Sequence, residues 1–594
     1  MCGLCGELRF DGRPADLGAV QRMTARLERR GPDHGGSYSD GPLGFGHRRL
    51  AIIDLSTHAN QPMVDQELGL SLVFNGTIYN YPELRRQLQQ KGYHFFSHGD
   101  SEVIIKAFHA WGESCVDRFH GMFAFAIWDQ ESRQLFLARD RLGIKPLYFS
   151  TDSNRFRFAS NTQALLTGGD VDSAIDPVSL HYQFTLHAVV PAPNTILKGV
   201  RKLAPGHCLS IDLRGQQRMR CYWRLTATRP QKPISEGEWL EQIHTALRSA
   251  VQTRNKVADV PVGVLLSGGL DSSLLVALLA EAGVSDLRTF SVGFEDHPDE
   301  KGSEFEYSDP VARRYQTQHR KFLVPNADVL QRLPEAVDAM AEPMFGQDAV
   351  AFYLLGEQVS KEVKVVQSGQ GADEVFGGYF WYPRMMAETE GTPLQRFSRH
   401  YFDRDHEEFL HTVAAQYRGE DYTSRRISEL LALPDADTFM DAVLRMDITT
   451  LIVDDPVKRV DNMTMAWGLE ARVPFLDQNL VELAARCPPE LKLRAGGKYP
   501  LKAMARGLLP DSVIDRPKGY FPMPALKYVR GDFLHFMRDI LESRACRERG
   551  LYSRAYVNML LSAPEMHHTR LQGSKLWHLA LLEFWLQRNV DASA

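Results

Sequence analysis

Residues 264–273 read VLLSGGLDSS, and this stretch decides the fold of the C-terminal part of the chain. It starts within an apolar run over 260–266 and leads into a helix predicted over 272–282, whose leucines share one face. A buried strand, a loop of small residues and a helix, in that order, predict a parallel sheet with crossover helices. Small residues let main-chain N–H groups approach a phosphate, and the helix N-terminus adds the positive end of its dipole. No Gly-Lys-Ser/Thr follows, so this is not a Walker A loop.

Further predicted strands extend the same pattern. The apolar runs Arg288–Phe294 and 363–367 are read as buried strands, and the second leads into SGQGADEVFGGY at 368–379. In the first loop, Asp271 is placed to reach a magnesium ion that bridges phosphates. The ordinary alternative, a strand-to-helix turn with serine caps, is disfavoured by the length and context of the stretch.

The chain as a whole is predicted to hold more than one domain, because 594 residues exceed the size of a single growing core. Its first third alternates short β-like runs (44–53, 70–74, 122–128 and 134–138) with Gly-rich turns and two helices, 81–90 and 101–111, the first capped by Asn80. Strands with helices packed outside predict a layered sandwich. Residues 226–238 are polar, contain two prolines and lack periodicity, which is typical of a linker. We therefore predict domains at 1–225 and 239–594, the second mainly helical from about Phe397 onward.

Composition narrows the class of protein. Apolar residues make up 44% and charged residues 24%, and the net charge of −5 offers no basic surface for nucleic acid or anionic lipid. No apolar run is long enough to span a bilayer, and the N-terminus lacks a signal-peptide pattern. The 7 cysteines are sparse and odd in number, which indicates a reducing compartment. These features predict a cytoplasmic enzyme without a nucleic-acid or membrane partner.

Cys2 is the strongest single candidate for catalysis. If Met1 is removed, a thiol and an α-amine share one residue, and an amine with a pKa near ~8 can act as the base for the adjacent nucleophile. Cys2 and Cys5 also form a C-x-x-C pair, but no second pair or histidine cluster at ligand spacing supports a metal site.

Three later stretches supply groups that such a nucleophile needs. Arg49 can hold a substrate carboxylate with its guanidinium, and Asp100 can hold a substrate ammonium. Asn75 and Gly76 offer an amide side chain and an unencumbered N–H, two donors suited to an oxyanion hole. Each has an ordinary alternative on its own: a surface charge for Arg49, a helix cap for Asp100 and a hairpin turn for Asn75-Gly76.

Taken together, these residues resemble the glutaminase domain of the class II glutamine amidotransferases. The matching stretches are 1–6, 30–33, 47–54, 74–80, 99–102, 121–129 and 139–148. The resemblance implies that Cys2 attacks the glutamine amide while Asn75 and Gly76 hold the oxyanion. It also implies that Arg49 and Asp100 bind the carboxylate and ammonium of glutamine. Cys5 has no role in that pattern and is read as a packing residue. Thr77 departs from it, since relatives usually carry Glu there, which removes a second contact to the ammonium.

The loop 264–273 in turn resembles that of enzymes that cleave ATP to AMP and pyrophosphate. With it, the blocks 368–379, 460–463, 470–477 and 497–499 resemble the synthetase domain of glutamine-hydrolysing asparagine synthetase. The fold implied is an N-terminal-nucleophile αββα sandwich followed by a parallel-sheet ATP pyrophosphatase domain with a helical C-terminal part, of mixed α/β and α+β class. The implied ATP-binding residues are Leu266, Ser267, Gly268, Gly269, Asp271, Ser272, Val292, Ser368, Gly369, Gly371 and Asp373, with Asp271 and Asp373 also holding Mg²⁺.

The resemblance implies a reaction in two places. An acceptor carboxylate attacks the α-phosphorus of ATP to form an acyl-adenylate, and ammonia from the Cys2 site then displaces AMP. A protected interdomain tunnel would keep the ammonia neutral. By the same analogy Lys498 stabilises charge on the transferring groups, and Glu342 is the expected base near the acceptor. The alternative for Lys498 is a solvated cation at a helix end.

The acceptor is where the sequence departs most from the family. Many asparagine synthetases have Asp-Pro-Ser where this chain has Gly346, Gln347 and Asp348, and Arg where it has Asn462. The opening residues 1–12 resemble the bacterial N-acetylglutaminylglutamine amidotransferases, which amidate an acylated dipeptide to make an osmoprotectant. We expect that acceptor first, aspartate second and a larger metabolite third.

Two hypotheses from other classes are weighed against this one. A glutamine-hydrolysing transferase acting on sugar or ribose phosphates would match only the N-terminal part, and the loop at 267–273 and Asp373 disfavour it. A non-catalytic or regulatory descendant would be expected to lose Cys2 or the loop aspartates, which are present. A homodimer is left open by the sequence.

Overall fold

The computed structural model describes residues 2–296, 301–516 and 529–593. Its strands are β1 (Cys2–Arg9), β2 (His34–Asp40), β3 (Leu43–Arg49), β4 (Met63–Asp65), β5 (Leu70–Ile78), β6 (Gly121–Asp129), β7 (Gln134–Arg139), β8 (Tyr148–Thr151), β9 (Arg155–Ala159), β10 (Arg201–Lys202), β11 (His207–Asp212), β12 (Gln217–Cys221), β13 (Val262–Leu265), β14 (Arg288–Phe294), β15 (Gln318–Val324), β16 (Val365–Gln367) and β17 (Glu470–Arg472). The predicted strand pattern is confirmed for both parts of the chain.

The helices concentrate toward the C-terminus, as predicted. They are α1 (Leu17–Arg26), α2 (Tyr81–Gln90), α3 (Asp100–Trp111), α4 (Cys115–Arg118), α5 (Thr162–Gly168), α6 (Pro177–Thr185), α7 (Glu236–Lys256), α8 (Leu270–Glu281), α9 (Phe305–Arg314), α10 (Asn326–Ala339), α11 (Asp348–Val359), α12 (Ala372–Phe376), α13 (Trp381–Ala387), α14 (Pro393–Tyr401), α15 (His406–Thr412), α16 (Tyr422–Leu431), α17 (Phe439–Met446), α18 (Lys458–Met465), α19 (Gln478–Arg486), α20 (Pro489–Lys492), α21 (Tyr499–Ala505), α22 (Asp511–Ile514), α23 (Gly531–Glu542), α24 (Arg544–Arg549), α25 (Arg554–Ser562) and α26 (Lys575–Asn589). Among the described residues, none of these helices is both long and apolar enough to cross a bilayer.

The N-terminal part is a four-layer sandwich. One sheet has the strand order β10-β8-β9-β1-β3-β2 and the other has β12-β11-β7-β6-β5-β4. Apolar side chains from both sheets, such as Leu4, Phe45 and Trp128, fill the space between them. The outer face of the first sheet is covered by α1 and α5 and that of the second by α2 and α3. This confirms the predicted αββα arrangement.

The C-terminal part is built around a five-stranded parallel sheet. Its order is β15-β14-β13-β16-β17, and every neighbouring pair of strands is parallel. The chain moves outward in one direction from β13 to β15 and in the other from β16 to β17, so the order reverses between β13 and β16. Ligands bind at the carboxyl ends of the strands at such a switch point. The two predicted phosphate-site loops follow these two strands.

Three local predictions differ from the structure. The strand predicted over 44–53 ends at Arg49, so the following residues leave the sheet and wall a cavity. Asn80 makes no side-chain cap for α2, because its amide is bound to Arg118 O and to the His120 N–H instead. Within the predicted linker, α7 already begins at Glu236, where Ser235 and Glu238 form a capping box.

The two parts are joined through a buried polar interface. Asp461 of α18 accepts hydrogen bonds from Arg30 Nη2 and Lys145 Nζ of the N-terminal part, each at 3.0 Å. All three side chains are less than one-tenth exposed. Burial alone would raise the pKa of Asp461, but Arg30 and Lys145 outweigh it and lower that pKa. The interface therefore depends on charged groups from both parts.

Candidate active sites

Cys2 begins β1 and lies opposite Arg49 in the paired strand β3. Its main-chain nitrogen, which becomes an α-amine if Met1 is removed, donates to Asn75 Oδ1 at 3.0 Å. Burial raises the pKa of the Cys2 thiol, which makes a nearby base necessary for forming the thiolate at neutral pH. Cys5, three residues along the same strand, is fully buried and packs its sulfur 3.3 Å from Thr24 Oγ1.

An amide donor is left unpaired beside this thiol. Asn75 Nδ2 is buried and has no hydrogen-bond partner among the described residues, while the oxygen of the same amide is held by Cys2. The neighbouring Gly76 has φ +152°, and a Cβ there would lie 2.1 Å from Met122 O. Only glycine therefore lets β5 pass this close to β6. An orphaned buried donor of this kind suits an oxyanion that forms only during the reaction.

Charged groups of both signs complete this cavity of about 30 Å³. Arg49 is 5% exposed and held by carbonyls, including Ser56 O at 2.8 Å, and it faces the cavity with Cys2 and Asp100. Asp100 accepts from the Ile78 N–H at 3.0 Å, and burial raises its pKa to about 6. Four of the residues that the sequence assigned to glutamine line this cavity: Cys2, Arg49, Gly76 and Asp100. The fifth, Asn75, is joined to them by its hydrogen bond with the Cys2 nitrogen.

A carboxylate from the C-terminal part also enters this cavity. Glu470 of β17 is fully buried, lines the cavity and lies 3.4 Å from Thr77 Oγ1. Its block, 470–477, was noted in the sequence, but no role was expected for this residue. Its position depends on how β17 docks against the N-terminal sandwich, which local sequence does not encode.

A second and much larger cavity, of about 460 Å³, opens at the carboxyl ends of β13 and β16. Its wall includes most of the residues expected to bind ATP: Leu266, Ser267, Gly269, Asp271, Ser272, Val292, Ser368, Gly369 and Asp373. Ser267 Oγ lies 3.0 Å from Ser272 Oγ and accepts from the Gly269 N–H, so the loop folds tightly over the start of α8. A cavity of this size falls within the usual range of small-molecule sites.

Two of the glycines expected to bind ATP, Gly268 and Gly371, do not line the cavity but allow the turns of its two loops. Gly268 has φ +78°, and a Cβ there would lie 2.6 Å from the Ser308 nitrogen. Gly371 has φ +94° and precedes α12, against the Leu476 side chain. Both allow turns that other residues adopt only with strain.

Lys498 joins the two loop aspartates. Its Nζ lies 2.6 Å from Asp271 Oδ2 and 2.8 Å from Asp373 Oδ1. Burial alone would lower the pKa of Lys498, but these carboxylates outweigh it and raise that pKa. The two carboxylates thus converge on one cation beside the phosphate loop. Hard oxygen donors aimed at a single point fit the ligand preference of Mg²⁺.

Glu342 does not lie on the wall of this cavity. Its carboxylate is buried among Lys202 Nζ at 3.0 Å, Lys458 Nζ at 3.3 Å and Tyr148 Oη at 3.0 Å. Because these groups belong to both parts of the chain, Glu342 lies at the interface between them. Asn462 is also away from the cavity wall and accepts from the Ala341 N–H at 2.8 Å.

The far end of the cavity carries charged side chains that sequence reasoning missed. Arg459 lies over Gly346, where a Cβ would approach its Nη1 to 1.9 Å, and pairs with Asp348 at 3.2 Å and Asp455 at 2.6 Å. His187 reaches the wall from the N-terminal part and donates to Asp403 at 2.9 Å. Asp348 was noted in the sequence, but no motif signals the others, since four separate segments meet here only after folding.

A buried thiol beside an oxyanion donor, and a phosphate-loop cavity in a second part of the chain, define a two-site enzyme: a glutamine-hydrolysing amidotransferase and ligase. Residues 1–223 match the family described as a glutamine amidotransferase domain, and residues 242–587 match the family described as asparagine synthase. The chain belongs to the asparagine synthase family and has the glutamine-dependent, ATP-using type of amide synthesis of that family.

Sequence alignments with asparagine synthetases extend over nearly all of the chain. "Asparagine synthetase [glutamine-hydrolyzing] 1" of Bacillus subtilis is 30% identical over 638 residues, covering 100% of this chain and 97% of that one. "Putative asparagine synthetase [glutamine-hydrolyzing]" of Mycobacterium tuberculosis is 33% identical and covers 90% of each. Among solved structures, glutamine phosphoribosylpyrophosphate amidotransferase from B. subtilis aligns over 54% of this chain and 91% of that chain, at 15% identity. The TM-score of this alignment is 0.30.

Proposed function

We propose that this enzyme hydrolyses glutamine at Cys2 and delivers the ammonia to an acyl-adenylate formed in the large cavity. The orphaned Asn75 amide beside Cys2 is the observation that carries the first step. The thiolate attacks the glutamine amide, and the developing oxyanion is held by Asn75 Nδ2 and the Gly76 N–H. The Cys2 amine takes the thiol proton and returns it to the leaving ammonia. Water then hydrolyses the γ-glutamyl thioester that remains on Cys2, which releases glutamate and returns the free thiol.

In the second step, the loop at 267–272 and the start of α8 hold the phosphates of ATP, and Lys498 neutralises charge on them. Asp271 and Asp373 are the residues that would hold Mg²⁺, which supplies charge neutralisation at the phosphates. The acceptor carboxylate attacks the α-phosphorus, pyrophosphate leaves, and ammonia then displaces AMP from the acyl carbon. Activation is needed because a carboxylate has no usable leaving group of its own.

The proposed acceptor is N-acetylglutaminylglutamine, bound at the end of the cavity lined by Gly346, Gln347 and Gln572. Its support is the likeness of residues 1–12 to amidotransferases for that dipeptide, together with the amide side chains on this wall. Arg459 is paired with two aspartates, so its charge is already balanced without a substrate. A neutral acylated peptide with one terminal carboxylate is compatible with such a wall.

Aspartate is the second candidate. The facing charges of Arg459 and Asp348 could bind the carboxylate and ammonium of a small zwitterion, and the named relatives are asparagine synthetases. A screen that measures AMP formation with ammonia and either aspartate, N-acetylglutaminylglutamine or other carboxylates decides between them. A higher kcat/KM with the dipeptide supports the proposal, and a higher value with aspartate replaces it. Formation of ADP and phosphate in place of AMP and pyrophosphate would contradict the proposed acyl-adenylate.

We also propose the division into a glutaminase domain (1–225), a linker (226–238) and a synthetase domain (239–594). A location in the cytoplasm stays a prediction from the sequence, and a homodimer stays an open alternative.

A further inference from the structure

Glu470 places a second carboxylate in the small cavity beside Cys2, which we call the glutamine cavity. It lies next to Thr77, whose side chain has no carboxylate. Residue 77 faces this cavity as a threonine, whose hydroxyl is neutral. Thr77 Oγ1 lies 3.4 Å from Glu470 Oε1, so the hydroxyl is placed to donate to the carboxylate. The two side chains belong to strands that lie almost four hundred residues apart in sequence, β5 and β17.

Glutamine brings one negative and one positive group into this cavity. Arg49 is the cation on its wall, and an ammonium with three N–H donors must be met by acceptors elsewhere. Asp100 is one carboxylate on the wall, and its Oδ2 already accepts from the Ile78 N–H. Glu470 is the other carboxylate among the described residues that line this cavity. Two carboxylates near one ammonium match its donors better than one.

Glu470 is held in an ionised and fixed state. Arg472 donates from Nε to Glu470 Oε1 at 2.5 Å and is itself fixed through Nη1 by Arg254 O and Val257 O, at 2.6 and 2.7 Å. Burial alone would raise the pKa of Glu470, but Arg472 outweighs it and lowers that pKa to about 2. A carboxylate held charged by a rigid neighbour can bind a cation without first losing a proton.

We propose that Glu470, a residue of the synthetase domain, is the second ligand of the glutamine ammonium, supplying across the domain interface the carboxylate that position 77 lacks. This rests on the proposed function of the Cys2 site. Glutamine then binds only where the two domains are docked, because its ammonium contacts both. Glu470 also selects for an α-amino acid over an amide of similar length without the ammonium.

The test uses the full-length enzyme and Glu470→Gln, which removes the charge but keeps an oxygen for the Arg472 Nε–H. Ammonia release is measured with glutamine and with glutaramate, which is glutamine without its α-ammonium. We expect the KM for glutamine to rise about tenfold or more and the preference for glutamine over glutaramate to fall by a similar factor. Ammonia-dependent AMP formation should stay within about twofold of wild type, since this cavity is not used in it.

Two further variants separate binding from structure. Thr77→Glu in the Glu470→Gln background returns a carboxylate to the cavity. We expect it to lower the KM for glutamine most of the way back to the wild-type value. Lys364→Gln, which removes the partly exposed interdomain pair with Asp33 at 2.8 Å, is the matched control and should leave glutamine KM unchanged.

An unchanged KM and glutaramate preference in Glu470→Gln would overturn the inference. Loss of ammonia-dependent synthesis together with glutamine hydrolysis would also overturn it, because that pattern marks a purely structural role. No glutamate release by the wild-type enzyme would instead contradict the proposed function of the Cys2 site.

Discussion

The main-chain nitrogen of Cys2 lies 3.0 Å from Oδ1 of Asn75, and the other end of that amide, Nδ2, is buried with no partner among the described residues. One side chain therefore orients the nucleophilic residue and presents a donor to the reaction. The amide cannot rotate to satisfy Nδ2 without giving up Cys2. This arrangement suits the proposed oxyanion site.

Replacing the nucleophile should separate the two reactions. We expect Cys2→Ala to lower glutamine-dependent synthesis by at least about 10³-fold, because no thiol remains to form the covalent intermediate. Ammonia-dependent synthesis should continue at a rate within about twofold of wild type, since the large cavity is untouched. Both are measured as AMP formation. Cys5→Ala is the control, as Cys5 is also buried on the same strand and should keep glutamine-dependent activity. Loss of both activities in Cys2→Ala would contradict separate sites.

Removing the oxyanion donor should slow glutamine hydrolysis without abolishing it. We expect Asn75→Ala to reduce kcat for glutamate release by about 10²–10³-fold, the usual effect of losing one such donor. The effect should fall on kcat more than on KM, because the donor is needed when charge develops on the amide oxygen. Steady-state kinetics of glutamate release test this. A rise in KM alone, with kcat unchanged, would place Asn75 in ground-state binding.

Disrupting the aspartate pair around Lys498 should affect only the ATP site. We expect Asp373→Asn to lower ammonia-dependent AMP formation by about 100-fold or more, since one of the two carboxylates that would hold the metal is neutralised. Glutamate release at Cys2 should remain measurable in the same preparation. Glu306→Gln removes an exposed carboxylate that pairs with Lys301 at 3.0 Å and serves as the control. Wild-type AMP formation in Asp373→Asn would rule out its role at the phosphates.

The His187–Asp403 pair should make stability depend on pH at the alkaline side. Burial alone would lower the pKa of His187, but Asp403 at 2.9 Å outweighs it, with Asp455 adding to and Arg459 opposing the effect, and raises that pKa to about 9. A raised pKa means that the charged form stabilises the fold fully below pH ~6.5, and that this contribution is lost as pH rises through about 9. His578 packs against His187 with ring centroids 5.6 Å apart, and burial lowers the pKa of His578 well below its usual value.

Thermal unfolding of wild type and His187→Gln between pH 6 and 10 measures this contribution. We expect the variant to be less stable at pH 6, by on the order of 3 kcal/mol or less, and the difference to shrink above pH 9. The exposed His94 provides a control through His94→Gln, which should leave the profile unchanged. A stability difference independent of pH would show that the charge of His187 does not matter.

The sequence predicted the loop at 267–273 and Asp271 from local pattern, whereas the other ATP-binding residues came from resemblance. The candidates for the glutamine site came from side-chain chemistry, and only the resemblance joined them into one site. Asp271 and Asp373 follow parallel strands, and the carboxyl ends of adjacent parallel strands meet at one edge, so their convergence follows from strand prediction. Cys2, Asn75 and Asp100 lie on different elements of a sandwich, and nothing in their spacing brings them together. The role of Glu342 as a base stays a prediction from the family pattern, and its pairs with Lys202 and Lys458 could not be predicted from the sequence.

Side chains that cross between the two parts were beyond sequence reasoning. Glu470 and Thr77 meet only because β17 and β5, from different parts of the chain, come into contact. His187 lines the large cavity at two successive residues with positive φ, His187 and Ala188. Such backbone is uncommon outside glycine and gives no recognisable sequence pattern. Docking between distant segments, rather than local propensity, decides these positions.

The ion triad of Arg30, Lys145 and Asp461 bears on how such enzymes can be recombined. Two cations from one half of the gene neutralise one anion from the other half, and all three are shielded from water. A hybrid protein that joins an N-terminal part and a C-terminal part from different ancestors must keep all three of these residues. If one is missing, a buried charge is left without its partner, at a cost of several kcal/mol. Inheritance of the two halves as a unit is thus favoured by folding itself, before any selection on catalysis.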